Sequence, residues 1–368
     1  MYNSPTNHRY DGIQALRFLA SFIVVLTHST FYAVGRLGAG GEIWHNGSRG
    51  VDIFFVISGV VMVISTRRLV GSEDGWKTFA SKRVLRTTPL YWIATTFKVV
   101  TVLLMSGLVL YAEMDWGNII KSYFYIPYLK IDGEIAPFLG VGWTLVFEMF
   151  FYLIFTAALF LKKNVYAFAG AVLLIFSALS LFRGETHSAA WFLADPIILE
   201  FYMGMVIGYF ALKRAFWPTS VALVAGLSAL AFMIFSTPID YAPLPRFLGT
   251  GIPAAILVWS TMSLEKYLHG RIPRSIMFFA GASYALYLFH PLIAPFAPLV
   301  LNKLSIQNFN LSVVLSTAIS MVTGAVVYQW VERPVNNVVN GYLKKSAKQP
   351  VATKQPQAVK EPQRSDAA

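Results

Sequence analysis

The chain has 368 residues, of which 56% are hydrophobic and only 13% are charged, and its mean hydropathy is +0.57. A soluble globular protein carries about 25% charged residues, so this chain has too little charge to cover such a surface. The aromatic content of 15% excludes a disordered chain, and the lack of cysteine excludes disulfides, Cys-ligated zinc and thiol nucleophiles. The composition therefore predicts an integral membrane protein with short loops.

Ten apolar stretches approach the length of about 20 residues that a membrane helix needs. They lie at Ile13–Val34, Val51–Thr66, Thr88–Leu110, Val141–Leu161, Tyr166–Phe182, Pro196–Leu212, Val221–Phe235, Phe247–Leu264, Ser275–Leu301 and Leu311–Val331. The ninth stretch contains Pro291, Pro295 and Pro298, which predicts a kinked or broken helix. The sequence thus predicts an all-α, polytopic membrane bundle of about ten transmembrane helices.

The net charge of +12 follows the predicted loops. Basic residues concentrate after the second, fourth, sixth and eighth stretches and in the C-terminal tail, so they share one side of a ten-span order. Because Lys and Arg accumulate on the cytoplasmic side, we expect both termini to be cytoplasmic and expect no nucleic-acid binding. Residues 1–341 are predicted to form the membrane domain. Residues 342–368, rich in Lys, Gln, Pro and Ala, are predicted to form a disordered cytoplasmic tail.

Arg17 and His28 are ionisable residues within the first span, where a charge marks a functional site by default. At 100° per residue they project from one face of a helix, about 16 Å apart along its axis. Arg17 lies near the cytoplasmic end and His28 lies deeper, toward the outer side. The spacing alone fits equally well a histidine that is hydrogen-bonded within the bundle and an arginine that snorkels to the interface.

Glu148 and His290 are two further polar residues in apolar surroundings. A buried carboxylate needs a partner, which Arg17 or His28 would supply, although a purely structural ion pair fits the same pattern. Glu200 on the sixth span is a similar but weaker case. His290 precedes a proline, so we expect unwound backbone there that lines a cavity; a histidine that stabilises a kink is the alternative.

Lys82, Arg83 and Arg86 precede the third predicted span, which has Pro89 in its first turn, a favoured early helix position. Arg83 and Arg86 are three residues apart and share a face. Guanidinium groups bind phosphate through two parallel hydrogen bonds. A basic anchor at the lipid headgroups fits the same charges.

Several motifs occur in a fixed order along the chain. They are Ile13–Ala20 with ten residues between Arg17 and His28, Gly50–Gly59, the set Arg83, Arg86, Pro89, Tyr91 and Trp92, the set Trp143–Leu145, Glu148, Phe151 and Tyr152, Tyr284–Pro291, and Glu332–Pro334. Through these motifs residues 10 to 335 resemble the membrane-integral acyltransferase family 3. This family includes O-acetyltransferases of exopolysaccharides, of O-antigens and of Nod factors.

The resemblance implies an O-acyltransferase of the bacterial inner membrane. The donor would be an acyl-CoA, most often acetyl-CoA, and the acceptor a sugar hydroxyl of an exopolysaccharide or of a polyprenyl-linked oligosaccharide. The resemblance implies no permanently bound cofactor and no metal. Membrane lipid and polysaccharide assembly machinery are the other expected partners.

The resemblance also implies roles for individual residues. His28 would be the general base that activates the sugar hydroxyl, because an imidazole with a pKa of about 6.5 can accept its proton; an acyl-histidine intermediate remains the alternative. Arg17 would position the donor or stabilise the oxyanion of the thioester. Arg83 and Arg86, and more weakly Lys82, would bind the donor phosphates.

Glu148 would orient His28 or neutralise Arg17, and Asp52, at the outer start of the second span, competes for the orienting role. His290, Ser58 and Trp143 are the candidate substrate-binding residues, although Ser58 also fits a small residue at a helix contact. Two other functions fit a polytopic protein with intramembrane charges. One is a transporter or flippase of a lipid-linked polysaccharide unit, and the other is a non-catalytic subunit of an assembly machine.

Overall fold

A computed structural model describes residues 10–38, 40–105, 114–182, 188–237 and 246–346 of the chain. These residues form fourteen α-helices and one two-stranded hairpin, which confirms the all-α prediction. The helices are α1 (Asp11–Leu37), α2 (Gly50–Thr66), α3 (Gly75–Leu104), α4 (Trp116–Tyr123), α5 (Trp143–Phe160), α6 (Val165–Leu179), α7 (Leu199–Leu212), α8 (Thr219–Phe235), α9 (Ile252–Ser263), α10 (Glu265–Leu268), α11 (Arg274–Ile293), α12 (Phe296–Lys303), α13 (Phe309–Val327) and α14 (Arg333–Ser346). Strands β1 (Tyr128–Leu129) and β2 (Ile135–Ala136) pair antiparallel.

Each of the ten predicted spans coincides with a helix, except that residues 106–110 of the third span lie outside the described residues. Eight apolar helical runs are long enough to cross a membrane. Two further apolar helices are shorter: one is α8, and the other consists of α9 and the turn that precedes it, Phe247–Ser263. The π-helical turns at Phe247–Gly251 and Tyr328–Glu332 lead into α9 and α14. The described residues therefore form a polytopic membrane bundle, as predicted.

The third helix begins thirteen residues earlier than predicted, at Gly75 instead of Thr88. Pro89 consequently lies inside the helix and not in its first turn, which corrects the sequence interpretation. Phe79, Arg83 and Tyr91 are all buried, and their spacing continues one helical face across the proline. The high charge of this segment hid that face in the sequence. Lys82, Arg83 and Arg86 therefore lie on α3 and not in the loop that precedes it.

The ninth span is broken, as predicted, but the break lies beyond His290. Helix α11 continues through Pro291 to Ile293, and α12 begins at Phe296. The backbone carbonyl of His290 accepts a hydrogen bond from the amide of Ala294 at 2.8 Å. The expectation of unwound backbone at His290 is therefore wrong, and this side chain belongs to the last helical turn.

Two ends of the bundle can be distinguished. At one end, Glu265 accepts hydrogen bonds from the backbone amides of Asp11 at 2.7 Å and of Gly12 at 3.0 Å, and so caps the start of α1. We call this end, which also holds the α2–α3 connection, the arginine end. The other end holds the β1–β2 hairpin and the starts of α5 and α7, and we call it the hairpin end. The assignment of the arginine end to the cytoplasm stays a prediction.

Helix α2 lies at the centre of the bundle and packs closely on α7. A Cβ atom built on Gly59 would lie 2.1 Å from the carbonyl oxygen of Phe201, and one on Gly204 would lie 2.0 Å from that of Val56. Only glycine permits this approach of two backbones. At the far end of the chain, α14 extends to Ser346, past the predicted boundary at residue 341, and residues 347–368 of the predicted tail lie outside the described residues.

Candidate active site

Helices α1, α2, α3, α5 and α11 enclose a polar cavity of about 170 Å³, which we call the arginine cavity. Its polar lining consists of three arginines, one carboxylate, one amide and several hydroxyl groups. These residues are Gln14, Arg17, Ser58, Arg83, Arg86, Thr87, Thr144, Glu148, Tyr152, Ser283, Tyr284 and Tyr287. Five residues predicted from the sequence, Arg17, Ser58, Arg83, Arg86 and Glu148, therefore meet in one cavity although they come from four helices.

The arginines of this cavity form no ion pair within 4.0 Å with any described carboxylate. Arg83 is buried, donates to the Ser65 hydroxyl at 2.5 Å, and has its guanidinium carbon 5.6 Å from the centre of the Phe79 ring. Arg86, nearly one turn further along α3, is exposed. None of the ion pairs within 4.0 Å in the described part of the chain involves Arg17, Arg83 or Arg86. Lys82 is exposed and is not among the residues that line the cavity.

Glu148 is held by hydroxyl groups. The Ser58 hydroxyl donates to Glu148 Oε1 at 3.3 Å, and the Tyr152 hydroxyl donates to the same oxygen. Neither of the two predicted partners, Arg17 and His28, makes a hydrogen bond to this carboxylate. Tyr152 was not singled out as a site residue, although its position four residues after Glu148 on a helix was a usable signal.

His28 and His290 lie against each other between α1 and α11. Their ring centres are 4.8 Å apart and the rings meet edge to face at 68°. Nδ1 of His28 is 3.0 Å from the carbonyl oxygen of Val24, and Nδ1 of His290 is 3.1 Å from that of Leu286. A carbonyl oxygen only accepts hydrogen bonds, so in the neutral rings each Nδ1 carries the proton and each Nε2 is the basic atom. Nε2 of His290 is buried and has no hydrogen-bond partner among the described residues.

Tyr287 connects the histidine pair to the arginine cavity. Neither histidine lines the cavity, but the ring of Tyr287 does, and its centre lies 6.0 Å from that of His290. The Tyr287 hydroxyl is 2.9 Å from that of Thr144, which also lines the cavity. Tyr287 therefore lies between the arginine cavity, which it lines, and the pair of histidines.

Asp52 lies in a different group of contacts from the one predicted. It is fully buried and accepts from Arg246 Nε at 3.0 Å, from Arg246 Nη2 at 2.9 Å and from the Thr250 hydroxyl at 2.7 Å. No hydrogen bond joins it to His28, so its predicted orienting role has no contact to support it. Arg246 was missed because it lies in a Pro-rich segment that the sequence marks as a loop. Glu200 is also fully buried nearby, beside Gly251.

A second cavity, of about 340 Å³, lies at the hairpin end, and we call it the hairpin cavity. Its lining is formed by the hairpin, the start of α5 and the segment before α7: Gly133, Glu134, Ile135, Ala136, Trp143, Phe147, Ser188, Trp191, Phe192 and Asp195. Trp143, a predicted substrate-binding residue, lines this cavity and not the arginine cavity.

Comparison with known proteins finds three relatives, two of which are named as acyltransferases. The chain is 36% identical over 263 residues to the exopolysaccharide production protein ExoZ of Rhizobium meliloti (strain 1021), an alignment that covers 66% of this chain and 75% of that protein. It is 22% identical over 382 residues to the putative peptidoglycan O-acetyltransferase YrhL of Bacillus subtilis (strain 168), covering 91% of this chain and 56% of that longer protein. It is 22% identical over 383 residues to the acyltransferase MdmB of Streptomyces mycarofaciens, covering 95% and 96% of the two chains. No solved structure matches.

Residues 10–330 match the family described as an acyltransferase domain. The match includes nine of the ten predicted spans in full, and it includes every residue that lines the two cavities. The chain therefore belongs to this acyltransferase family and is a multi-pass membrane enzyme that transfers acyl groups.

Proposed function

We propose that this enzyme transfers an acyl group, in the first place acetyl, from acyl-CoA to a sugar hydroxyl of an exopolysaccharide or of a lipid-linked oligosaccharide. The observation that carries the proposal is the arginine cavity, in which three guanidinium groups have no carboxylate within 4.0 Å among the described residues and from which Tyr287 leads to the pair of histidines. The exopolysaccharide protein among the relatives supports a polysaccharide acceptor. Membership of an acyltransferase family favours this function over transport of a lipid-linked unit or a scaffolding role.

The donor would enter from the arginine end. Coenzyme A carries phosphates, and Arg83 and Arg86 would bind them with charge-assisted hydrogen bonds. A cavity of about 170 Å³ is too small for the whole cofactor, so it would take the acyl-pantetheine arm while the nucleotide stays at the mouth. Arg17, which lines the same cavity about 16 Å along α1 from His28, would position this arm.

His28 would be the general base. Its Nε2 would take the proton from the sugar hydroxyl as the hydroxyl oxygen attacks the thioester carbonyl carbon. The carbon–sulfur bond then breaks, and the departing thiolate of coenzyme A takes up the proton. Such proton transfer contributes a factor of about 10²–10⁴ to a rate. His290, whose buried Nε2 has no hydrogen-bond partner among the described residues, would accept a hydrogen bond from a neighbouring hydroxyl of the same sugar.

The first test of the proposal compares glycans from a host that lacks this chain with glycans from the same host carrying wild-type protein or His28→Ala. We expect wild type to restore an ester, detected by mass spectrometry as the added mass of one acyl group. We expect His28→Ala to lower the rate of acylation by about 10²–10⁴. His45→Ala changes an exposed histidine at the hairpin end and is the matched control.

Two outcomes would contradict the proposal. Esters that are the same with and without the chain would remove the glycan as acceptor. Near wild-type acylation by His28→Ala, at an equal level of folded protein in the membrane, would remove His28 from the chemistry while leaving the acceptor in place.

A further inference from the structure

The hairpin cavity combines aromatic faces with acidic groups. Four aromatic side chains and two carboxylates contribute to its lining: Trp143, Phe147, Trp191, Phe192, Glu134 and Asp195. Its volume of about 340 Å³ falls in the range of small-molecule sites, about 300–1,000 Å³. No lysine or arginine is among the described residues that line it, so it is unsuited to a polyphosphate such as coenzyme A. Aromatic rings that face the apolar side of a pyranose suit an uncharged sugar. Asp195 already accepts from the Ile197 amide at 2.9 Å, whereas Glu134, whose Oε2 accepts from Lys130 at 3.0 Å, would accept from a sugar hydroxyl through its other oxygen.

Helix α5 forms the wall between the two cavities. Trp143 and Phe147, one turn apart, line the hairpin cavity. Thr144, Glu148 and Tyr152, which follow each other at the same spacing one residue later, line the arginine cavity. Residues four apart lie on one face of a helix, so adjacent faces of α5 serve two different cavities.

Thr144 and Tyr287 link this wall to the histidines. Thr144 follows Trp143 directly, and its hydroxyl is 2.9 Å from that of Tyr287, whose ring centre is 6.0 Å from that of His290. The Trp143 ring meets the Phe55 ring edge to face, with centres 6.2 Å apart, and the Arg246 guanidinium carbon lies 6.0 Å from its centre. The contacts that lead from Trp143 to the histidine pair therefore run through the neighbouring residue Thr144 on α5 and through Tyr287 on α11.

Resting on the proposed function, we propose that the hairpin cavity is the acceptor site, in which Trp143 and Trp191 hold a sugar unit of the polysaccharide for acylation. The enzyme then receives its two substrates from opposite ends of the bundle. Donor and acceptor meet at the start of α5, and no lysine or arginine among the described residues that line the hairpin cavity is available to bind the donor phosphates. Trp191 and Glu134 would set affinity for the sugar without contacting the donor.

The test uses the whole protein in lipid nanodiscs and two titrations by calorimetry. The probes are acetyl-CoA and repeat-unit oligosaccharides cut from the unacylated polysaccharide of the host that lacks this chain. For Trp191→Ala we expect affinity for the oligosaccharide to fall about tenfold or more, because a stacked ring and its buried area are lost. Affinity for acetyl-CoA should stay at the wild-type value. Trp191→Phe should recover most of the sugar affinity, which a merely structural defect would not restore selectively.

Trp116→Ala is the matched control, because Trp116 is an exposed tryptophan of the same end that does not line the cavity. Glu134→Gln, a change in an exposed hairpin residue, guards against misfolding of the tryptophan variant and should weaken sugar binding by a smaller factor. Unchanged sugar affinity in both Trp191→Ala and Glu134→Gln would overturn the inference, as would a wild-type protein that binds no oligosaccharide. Equal loss of acetyl-CoA affinity would overturn it too, since the change would then not be confined to the acceptor.

Failure of this inference is distinguishable from failure of the proposed function. If the host's glycan loses its ester without the chain but Trp191→Ala acylates it normally at limiting expression, the function stands and the acceptor binds elsewhere. If the glycan ester does not depend on the chain at all, the proposed function itself fails.

Discussion

Two groups of charged side chains lie inside the bundle, and they are partnered in opposite ways. Around Asp52, which is fully buried, the carboxylate accepts on both oxygens from Arg246 and Thr250, whereas the neighbouring buried Glu200 has no hydrogen-bond partner among the described residues. Around the arginine cavity, Arg17 and Arg83 face open space with hydroxyl or amide contacts but no carboxylate within ion-pair distance. Opposite charges that pair with each other link two helices. Charges that face a cavity can instead pair with a charged ligand that enters it. The sequence shows both groups only as polar residues in apolar spans.

The largest effect should come from breaking the closed group. Asp52→Ala removes the fully buried, bidentate partner of Arg246. Removing one member of a fully buried pair costs about 3–5 kcal/mol, and because the Arg246 side chain is 34% exposed the cost here should lie toward or below the lower end of that range. We expect a lower thermal unfolding temperature in detergent and less folded protein in the membrane. Asp74→Ala, which removes an exposed pair with Lys77 at 2.9 Å, is the control and should cost less than about 1 kcal/mol.

The Asp52→Ala variant also tests whether the group around Asp52 has only a structural role. Asp52→Ala protein that unfolds at the wild-type temperature yet transfers no acyl group would place Asp52 in the reaction, in the orienting role first predicted for it. The two groups would then no longer differ as structural and functional.

A second effect should appear in the open group. Replacing Arg83 and Arg86 together by alanine should weaken acetyl-CoA binding by about 10- to 100-fold or more, because a hydrogen bond to a charged group contributes about 1.5–3 kcal/mol. Arg86→Ala alone, at an exposed position, should show part of this loss with no change in unfolding temperature. Titration calorimetry measures both variants.

Arg67→Ala with Arg68→Ala is the matched pair for this measurement, because both residues are exposed basic residues of the arginine end that do not line the cavity. An equal loss of donor affinity in that pair would show that net charge at this end, and not the cavity, binds the donor. Unchanged affinity in all of these variants would return Arg83 and Arg86 to a role in membrane orientation.

The smallest effect should come from Ser58→Ala. Its hydroxyl donates to Glu148 at 3.3 Å, a long hydrogen bond, while Tyr152 continues to hold the same carboxylate oxygen. The loss of one such bond corresponds to about 0.5–1.5 kcal/mol, so we expect the turnover rate to fall by less than about tenfold. Ser320→Ala, a buried serine that bonds only within α13, should leave the rate unchanged. A fall of a hundredfold would mean that Ser58 itself contacts the reacting groups.

Sequence reasoning located the membrane helices well because hydropathy depends on local composition. It failed at α3, where Lys82, Arg83 and Arg86 mask a helical face that Phe79 and Tyr91 bury. It also failed at Pro291, which lies inside α11 and does not end the helix, since membrane helices tolerate proline. Both errors concern where a helix begins or ends and not whether it exists.

The candidate site was found in part. Arg17, Ser58, Arg83, Arg86 and Glu148 were predicted individually, and all of them line one cavity. Their partners were not predicted. The neighbours of a side chain in a bundle come from other helices at positions that no local pattern encodes, so Glu148 was assigned to charged groups when hydroxyl groups hold it.

The sequence by itself determined that this chain crosses a membrane repeatedly, that its basic segments alternate with its apolar spans, and that a histidine and several arginines lie among its helices. These properties follow from the solvation of each segment, which depends on the segment alone. Only the tertiary structure decided that His28 meets His290, that Asp52 meets Arg246 from 194 residues away, and that α5 separates two cavities of opposite character. Helix packing fixes such meetings, because complementarity between distant faces selects one arrangement among the many that hydropathy allows.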